Sequence, residues 1–419
     1  MFKNIRQGNP IQKDIYIPSS KSLCHRAIIC ASLAEGTSHL HHIHTSMDIE
    51  ATIHAMEIWG TRFEREGDTL IVHGTDKAEP VMQDVDCGES GSTLRFLIPL
   101  FASAEQPVRF IGHGRLMQRP QSVYEEIFAK QNLLFQKDES SILARGPIKP
   151  GKFQIPGNIS SQFISGLLFV LPLLKEDSKV EILSPYESES YVDLTIAALK
   201  DCGISVRKDS MQLYIPGNQK YRSINVTVEG DDSQMAFFAA YSLIHDQEVI
   251  VKNMNHVSMQ GDHVILDILE KAGGRYEEIE KGYRFLGGMP KAFEADLANC
   301  PDLGPILFAL AAICPGQSVI HNIQRLRIKE SDRAAAMEEE LRKLGCKIHT
   351  DEENAYIQGG IAFPEHCILK GHNDHRIVMA LSILATISPA YVKIEGTEAI
   401  QKSYPGFFED LLKTGADIC

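Results

Sequence analysis

The sequence predicts an α/β protein of two similar domains, each built from three repeats of nearly equal length. Three observations predict this fold. A helix–strand–strand pattern recurs at nearly constant spacing, a second set of helices is apolar on every side, and the two chain ends complete each other's pattern. The predicted repeat is strand–helix–strand–helix–strand–strand, with one of its helices buried by sheets.

The recurring pattern is an amphipathic helix, a small residue, a strand, a turn, a second strand and a glycine. Its first copy is AMEIWGTRFEREGDTLIVHG, in which Gly60 and Gly74 mark the end of the helix and of the second strand. Four more copies keep the same spacing between their marks, with the pairs Asn132 and Gly146, Gly203 and Gly217, Gly274 and Gly288, and Gly345 and Gly359. The step from each copy to the next is nearly constant at about 71 residues, and so regular a period indicates a repeat architecture.

The chain ends extend the pattern to a sixth copy. The helix FFEDLLKTGADIC reaches Gly415 one further period along the chain, which then stops before the expected strands. The N-terminal segments MFKNIRQG and NPIQKDIYIP are predicted to supply them. We therefore expect a first domain of residues 1–19 and 230–419, a second domain of residues 20–229, and an active site in the cleft between them.

Each repeat also contains an earlier helix with no polar face, and such a helix is a buried one. The second, charged helices are expected to cover the outside, and the acidic run MEEEL in one of them is interpreted as a solvated face. The six apolar helices are predicted in SKSLCHRAIICASLA, SGSTLRFLIPLFASA, SSQFISGLLFVLPLL, DSQMAFFAAYSLI, PDLGPILFALAAI and NDHRIVMALSILATI.

Composition narrows the class of protein. A net charge of −13 argues against nucleic acid or an anionic membrane as a partner, since both favour surplus Lys and Arg. The N-terminus lacks the apolar core of a signal peptide. The longest apolar runs, such as ISGLLFVLPLL, are shorter than the roughly 18 residues of a membrane span. Nine cysteines without a CxxC pair predict reduced thiols in a cytoplasmic protein and no zinc site.

Cations recur at equivalent helix ends. Ser or Asp, which favour helix N-termini, begin each apolar helix at Ser22, Ser92, Ser161, Ser233, Asp302 and Asp374. Cations beside these ends oppose the helix dipole, and a bound anion would compensate them. Each cation alone is best interpreted as a surface charge or an ion pair, but all of them together predict one anion-binding cleft. These cations are Lys21, Arg26, Arg95 and Arg376, together with Arg119, Lys329, Arg333 and Lys402 beside the second helices.

Several motifs in order give the chain a family resemblance. With KESDR (329–333), NDHR (373–376), SGSTLR (90–95) and RP (119–120), the sequence resembles the 5-enolpyruvylshikimate-3-phosphate (EPSP) synthase family. PSSKS, SSQF (160–163), PD (301–302) and KSYPGFF (402–408) extend the resemblance over essentially the whole chain. It implies the enolpyruvyl transferase fold, an inside-out α/β barrel of two domains with three βαβαββ repeats each, which close over the substrates.

The resemblance also implies the reaction. The enolpyruvyl group of phosphoenolpyruvate would pass to the 5-hydroxyl of shikimate 3-phosphate through a tetrahedral intermediate, with release of phosphate. The resemblance implies no metal, no organic cofactor, no nucleic-acid or membrane partner, and a cytoplasmic monomer. The family is also the target of the herbicide glyphosate, to which the sensitivity of this chain stays open.

The resemblance assigns residues to three roles. Implied catalytic residues are Asp302 as proton acceptor, Glu330 as its partner at the methylene carbon, and Lys21. Shikimate 3-phosphate would be bound by Lys21, Ser22, Arg26, Ser160, Ser161, Gln162, Ser188, Asp302 and Lys329. Phosphoenolpyruvate would be bound by Lys21, Gly91, Arg119, Gln162, Arg333, Arg376 and Lys402.

The chemistry suits these residue types. Each substrate carries a phosphate and a carboxylate, which guanidinium groups bind in a bidentate manner. Addition of a hydroxyl to the enol carbon of phosphoenolpyruvate needs one group to take its proton and another to protonate the methylene. A carboxylate beside cations stays ionised, which suits Asp302 as a base, whereas Glu330 as an acid would need a special environment.

Two other functions compete. The sister enolpyruvyl transferase acting on UDP-N-acetylglucosamine shares the fold and the donor, but it pairs its N-terminal Lys with Asn and usually has a loop cysteine. Here Ser22 follows Lys21, and no cysteine lies between Cys87 and Cys202. A non-catalytic anion-binding repeat protein would keep the cations without needing Asp302 and Glu330.

Some positions stay open. Ser184 and Ser190 compete with Ser188 as the substrate contact, and His375 either orients its neighbours or only caps its helix. Arg325 stands where many members of the family carry a polar amide, and Glu89 where others have Asn. HLHHIH (39–44) is interpreted as a short strand with Leu40 and Ile43 on it rather than as a metal site.

Overall fold

A computed structural model describes residues 1–11, 14–75 and 83–419. The chain divides into two compact units. The terminal unit comprises Met1–Pro18 and Glu229–Cys419, and the central unit comprises Ser19–Val228. These bounds differ by one residue from the predicted domain limits.

In the described residues, the strands form six sheets of four strands each, and all six share one plan. The first two strands of each sheet are parallel, the third is antiparallel to the second, and the fourth is antiparallel to the third. A parallel pair needs a crossover connection, which a helix provides. The strand–helix–strand–helix–strand–strand repeat is therefore confirmed.

The strands of each sheet follow in spatial order. The central unit contains Asn225–Thr227, Gly36–His41, Thr69–Gly74 and Arg62–Glu66; Val85–Asp86, Val108–Ile111, Ser141–Arg145 and Leu134–Lys137; and Lys152–Pro156, Ser178–Leu183, Gln212–Ile215 and Arg207–Asp209. The terminal unit contains Ile15–Tyr16, Val249–Lys252, Gly282–Gly288 and Gly274–Ile279; Glu294–Asp296, Gln317–His321, Asn354–Gln358 and Lys347–Thr350; and Ile368–Lys370, Val392–Glu395, Phe2–Arg6 and Asp417–Ile418.

The six apolar helices, called the inner helices below, are buried along almost their whole length, as predicted. They supply much of the two large hydrophobic cores, because leucine, isoleucine and phenylalanine side chains leave water on every side of them. Their bounds are Lys21–Ser32, Gly91–Phe101, Ser161–Val170, Asp232–His245, Gly304–Ile313 and His375–Ala385.

The second helices have one buried and one exposed face, as expected of the amphipathic helices predicted from the sequence. Their bounds are Met47–Trp59, Ser122–Lys130, Glu189–Asp201, Ile265–Lys271, Arg333–Lys343 and Phe407–Lys413. Short 3₁₀ helices occupy Leu116–Gln118, Leu171–Leu173, Gly261–Val264, Pro301–Leu303, Gln324–Ile328 and Thr397–Lys402.

The prediction for the chain ends is partly wrong. Phe2–Arg6 enters the sixth sheet beside Val392–Glu395, as expected of an N-terminal strand. Its other neighbour, however, is Asp417–Ile418, so the C-terminal segment itself supplies the first of the two strands that follow the last helix, and the N-terminal segment supplies only the second. Ile15–Tyr16 joins a different sheet and pairs with Val251–Lys252. Gln12 and Lys13 of the second N-terminal segment lie outside the described residues.

The lengths of the apolar helices and the state of the cysteines bear on two expectations from the sequence. Within residues 1–11, 14–75 and 83–419, no helix has the length and hydrophobicity of a transmembrane span. The same residues contain no disulfide, and eight of the nine cysteines are buried.

Candidate active site

Side-chain caps fix the beginnings of four inner helices, and these beginnings carry the candidate site. The capping oxygen accepts a bond from a backbone N–H two or three residues further along, which satisfies one of the free donors there. The remaining N–H groups and the helix dipole favour anions. The capping residues are Ser90, Ser160, Asp231 and Asp374.

Three cations converge on Asp302 in the terminal unit. Asp302 lies in the 3₁₀ turn that precedes an inner helix. Its Oδ1 accepts bonds from Lys329 Nζ at 3.2 Å and from Arg333 Nη1 at 2.9 Å. Its Oδ2 accepts a bond from Arg376 Nη2 at 3.0 Å. Asp302 keeps 21 % of its side chain exposed, whereas both arginine side chains are buried, so solvent reaches the carboxylate.

Arg333 joins three carboxylates at once. Its Nε donates to Asp374 Oδ2 at 2.8 Å, and its Nη2 donates to Glu330 Oε2 at 2.7 Å, besides the bond to Asp302. Burial lowers the pKa of Arg333, but the charges of Asp374, Glu330 and Asp302 outweigh burial and leave this pKa raised. Burial likewise raises the pKa of Asp374, and Arg333 outweighs it, so that this pKa is lowered. The pair is therefore charged.

Lys329 differs electrostatically from the arginines beside it. Burial lowers its pKa from 10.5 to about 8, and the positive charges of Arg325 and Arg333 act in the same direction, while Asp302 opposes them. Arg325, which departs from the usual family residue, is itself buried in the 3₁₀ helix before Lys329. Lys329 can consequently lose its proton just above neutral pH.

Lys402 is connected to these residues by a hydrogen bond to a backbone carbonyl. Its Nζ donates to the carbonyl of Asn373 at 2.6 Å. The next residue, Asp374, caps the inner helix that carries Arg376. The cap of this helix is thus Asp374 rather than His375, which is its buried first residue. The residues Asp302, Lys329, Glu330, Arg333, Asp374, Arg376 and Lys402 are called the terminal cluster below.

In the central unit, Arg26 is held firmly in a buried position. It donates to Thr195 Oγ1 at 2.8 Å, to the Tyr191 carbonyl at 2.8 Å and to the Ser22 carbonyl at 2.6 Å. Its guanidinium lies 5.2 Å from the ring centre of Phe96. Burial lowers the pKa of Arg26 to about 10, which still leaves it charged at neutral pH.

Lys21 has a carboxylate partner that the sequence did not indicate. Its Nζ lies 2.6 Å from Asp48 Oδ2, in the first turn of the following helix. Both side chains are at least four-fifths buried. The cation Lys21 is therefore balanced in this structure by a carboxylate of the protein, as are Lys329, Arg333 and Arg376.

Arg95 connects the SSQF motif to the segment that follows Arg119. Its Nη1 donates to Gln162 Oε1 at 2.9 Å, and its Nη2 donates to the Pro120 carbonyl at 2.8 Å. Gln162 in turn donates to Ser92 Oγ at 3.0 Å. Ser160 caps the helix on which Gln162 lies. The sequence identified Arg95 as a cation but assigned it no substrate.

Gly91 and Arg119 are in close contact. A Cβ added to Gly91 would lie 2.5 Å from Nη1 of Arg119 and 2.8 Å from its Cζ. The glycine thus leaves the space that the guanidinium occupies. Arg119 itself is buried, with 7 % of its surface exposed.

The remaining predicted serines lie at helix beginnings. Ser161 is the buried first residue of its inner helix. Ser188 is fully buried, has a left-handed φ of 54°, and precedes the helix Glu189–Asp201. Ser184 is exposed and Ser190 half-buried. Sequence reasoning missed Asp48, Thr195 and Asn373. Asp48 and Asn373 adjoin the beginnings of helices, which was their sole signal, whereas Thr195 lies in the middle of the helix Glu189–Asp201.

The described residues include side chains that are close enough together to be considered as metal ligands. One group brings three possible ligands within 4.8 Å, namely Glu339, Glu340 and His372. The HLHHIH segment begins on the strand Gly36–His41, which carries Leu40 as expected, but the strand ends before Ile43; both side chains are buried. Glu340 is already bonded to Lys343 and His372, so this group supports an internal ion-pair network.

Comparison with known proteins gives a consistent picture. The family model for EPSP synthase (3-phosphoshikimate 1-carboxyvinyltransferase) matches residues 5–411. A 3-phosphoshikimate 1-carboxyvinyltransferase of Clostridium kluyveri is 39% identical over 416 residues, covering 97% of this chain and 96% of the relative. The protein of that name from Clostridium perfringens is 40% identical, and 99% of both chains is covered.

Solved structures agree in fold. The structure of EPSP synthase from Acinetobacter baumannii superimposes with a TM-score of 0.81 over 100% of both chains, at 23% identity. At that identity the likeness supports the enolpyruvyl transferase fold alone. The family match over nearly the whole length carries the further conclusion that this chain belongs to the EPSP synthase (3-phosphoshikimate 1-carboxyvinyltransferase) family.

Proposed function

We propose that the terminal cluster and the cations of the central unit bind the two anionic substrates of the family reaction. As a member of this family, the protein transfers the enolpyruvyl group of phosphoenolpyruvate to the 5-hydroxyl of shikimate 3-phosphate and releases phosphate. It is a transferase of the shikimate pathway, which leads to the aromatic amino acids. We propose below which residues of this chain perform each part of that reaction.

The observation that carries the proposal is the set of three cations around Asp302. Lys329, Arg333 and Arg376 surround this carboxylate, an arrangement that favours the charged form of a carboxyl group, and it retains contact with solvent. An ionised and accessible carboxylate can accept the proton of the attacking hydroxyl. A protein that only bound anions would gain nothing from a carboxylate among its cations, because the carboxylate would repel the ligand.

Phosphoenolpyruvate is assigned to seven residues. Arg333 and Arg376 are rigidly held guanidinium groups, suited to bidentate binding of carboxylate or phosphate. Gly91 allows Arg119 to lie against the beginning of an inner helix, where N–H groups add to the attraction for an anion. The assigned set is Lys21, Gly91, Arg119, Gln162, Arg333, Arg376 and Lys402.

Shikimate 3-phosphate is assigned to the SSQF helix and its neighbours. Ser160 and Ser161 begin a buried helix, which offers hydroxyl and N–H donors to a phosphate. Arg26 adds a fixed positive charge, since its own bonds hold it in place. The assigned set is Lys21, Ser22, Arg26, Ser160, Ser161, Gln162, Ser188, Asp302 and Lys329.

The surroundings of Asp302 suit its proposed role as a base, whereas those of Glu330 do not favour a protonated acid. Asp302 as base has the surroundings described above. Glu330 contacts Arg333 at 2.7 Å, and a guanidinium stabilises the charged form of a carboxylate. Glu330 would therefore have to take up a proton when substrate rearranges that contact, and Lys21 is proposed to stabilise the developing negative charge.

The protein is further proposed to act as a cytoplasmic monomer without a metal, organic cofactor, nucleic-acid or membrane partner. Activity that persists after removal of divalent cations with EDTA is expected, and a requirement for an added metal would contradict this part.

The decisive experiment measures phosphate release from phosphoenolpyruvate with the purified protein. Release is expected with shikimate 3-phosphate and absent without it. UDP-N-acetylglucosamine in place of shikimate 3-phosphate tests the sister reaction. Release that depends on that acceptor, or on neither, would overturn the proposal. An Asp302→Ala variant that still binds shikimate 3-phosphate but does not turn over separates a catalyst from an anion-binding protein.

A further inference from the structure

Glu340 contradicts the expectation that the acidic run MEEEL is a solvated face. Glu339 is exposed, but Glu340 is completely buried on the other side of the same helix. Charged residues are almost never fully buried unless they are paired. Glu340 accepts bonds from Lys343 Nζ at 2.7 Å, from His372 Nε2 at 2.6 Å and from the backbone N–H of Lys370 at 3.0 Å.

Two of these three bonds hold a turn of unusual backbone geometry. His372 and Asn373 have left-handed φ values of 50° and 53°, and the turn is closed by a bond of 2.8 Å from the Asp374 N–H to the Gly371 carbonyl. Two successive residues with positive φ are typical of a type I′ turn, which non-glycine residues adopt at a cost. The bonds from Lys370 and His372 to Glu340 lie on both sides of Gly371 and fix this turn.

The turn positions three residues of the terminal cluster, namely Lys402, Asp374 and Arg376. It presents the Asn373 carbonyl to Lys402 Nζ at 2.6 Å, and it places Asp374 as the cap of the helix that carries Arg376. Glu340 itself lies two turns beyond Arg333 on one helix. The Glu340–His372 bond therefore connects the helix of Arg333 to the turn that sets Lys402 and Arg376.

We propose that Glu340 and His372 are positioning residues for the phosphoenolpyruvate side of the reaction. They touch neither substrate; they act through the turn at Asn373 on Lys402 and Arg376. The burial of Glu340 keeps its bonds strong, since a charge-assisted bond in a dry environment exceeds one in water. This inference rests on the proposed assignment of Lys402 and Arg376 to phosphoenolpyruvate.

The test separates the side-chain bond from the backbone strain. In His372→Asn the left-handed conformation stays accessible, because Asn tolerates it well, but the shorter side chain no longer reaches Glu340. Glu340→Gln keeps the shape and removes the charge. We expect each variant to raise the KM for phosphoenolpyruvate about tenfold, as loss of a charged hydrogen bond does, with kcat and the KM for shikimate 3-phosphate within about twofold.

Two further variants provide the controls. Glu339→Gln changes the adjacent, exposed glutamate, which pairs with the same Lys343, without touching Glu340 or the turn, and it should leave both KM values unchanged. The double variant of Glu340→Gln with His372→Asn should be no worse than either single variant, because both break the same bond. Additive effects, or a rise of both KM values in parallel with a lower unfolding temperature, would show a merely structural role and overturn the inference.

Lys402→Met tests the proposed phosphoenolpyruvate site separately from the positioning role of Glu340 and His372. If it raises the KM for phosphoenolpyruvate while the Glu340 and His372 variants do not, the positioning role is rejected and the proposed site stands. If it leaves that KM unchanged, the assignment of Lys402 fails, and the positioning inference fails with it.

Discussion

The contact between Gly91 and Arg119 gives a prediction whose size follows from the structure. A methyl group at residue 91 would lie 2.5 Å from Nη1 of Arg119. Two heavy atoms that are not bonded to each other are normally separated by about 3.5 Å. The guanidinium in Gly91→Ala must therefore move by about 1 Å. It can do so, because it is the end of a flexible side chain and not backbone.

A displacement of this size is large for a binding group. Misplacing a positioning group by about 1 Å is enough to cost roughly 100-fold, so we expect kcat/KM for phosphoenolpyruvate to fall by about 10–100-fold in Gly91→Ala. The KM for shikimate 3-phosphate should stay within about threefold, because its proposed residues are not displaced. Alanine is a better helix former than glycine by about 0.5–1 kcal/mol, so the variant should fold as well as the parent.

Steady-state kinetics with each substrate varied in turn, together with thermal unfolding, tests the prediction. Gly406→Ala is the matched control, because it also begins a helix and an added Cβ there meets nothing within 4 Å. An unchanged KM for phosphoenolpyruvate, or an equal loss for both substrates, would refute the steric reasoning.

Four other outcomes are expected. Asp302→Asn should lower kcat by about 10²–10⁴-fold while shikimate 3-phosphate still binds in a calorimetric titration; undiminished turnover would eliminate it as the base. Arg119→Ala should raise mainly the KM for phosphoenolpyruvate, and an effect confined to the other substrate would contradict its assignment. Because the pKa of Lys329 is lowered to about 8, its charge is lost as the pH rises through 8, so the KM for shikimate 3-phosphate should rise above that pH, and Lys329→Arg should abolish this rise. Arg333→Met leaves the buried Asp374 without its cation and should destabilise the fold by about 3–5 kcal/mol in denaturant unfolding, a loss that a surface ion pair would not cause.

The sequence was sufficient for the repeat and for the inner helices, because both are local patterns. An all-apolar helix has a single stable location, and a constant spacing between glycine-like positions fixes a hairpin after a helix. Asp374 caps its helix at the position that the sequence marked, whereas Ser90 and Ser160 are caps that lie just before the marked Ser92 and Ser161, which are first-turn residues.

Partners that are distant in the chain could not be foreseen. Arg26 meets Thr195 across 169 residues, and Arg333 meets Asp374 across 41. The sequence therefore suggested that bound anions balance the cations, whereas the protein itself supplies Asp48, Asp302 and Asp374 for several of them. The pairing of strands with only two residues, such as Ile15–Tyr16, leaves no periodic signal at all.

The error at Glu340 has a local cause. Three adjacent glutamates suggest a solvated surface, but adjacent residues of a helix point in different directions. Glu340 lies four residues from Ala336 and three from Met337, both buried, so helical spacing would have placed it on the inner face.

The sixth sheet has a consequence for synthesis on the ribosome. Phe2–Arg6 is held between Val392–Glu395 and Asp417–Ile418, so this sheet cannot be complete until residue 418 has emerged from the ribosome. The three sheets of the central unit, by contrast, have all their strands once residue 227 has emerged. Phe2–Arg6 must therefore wait for both of its neighbouring strands while the whole central unit is synthesised.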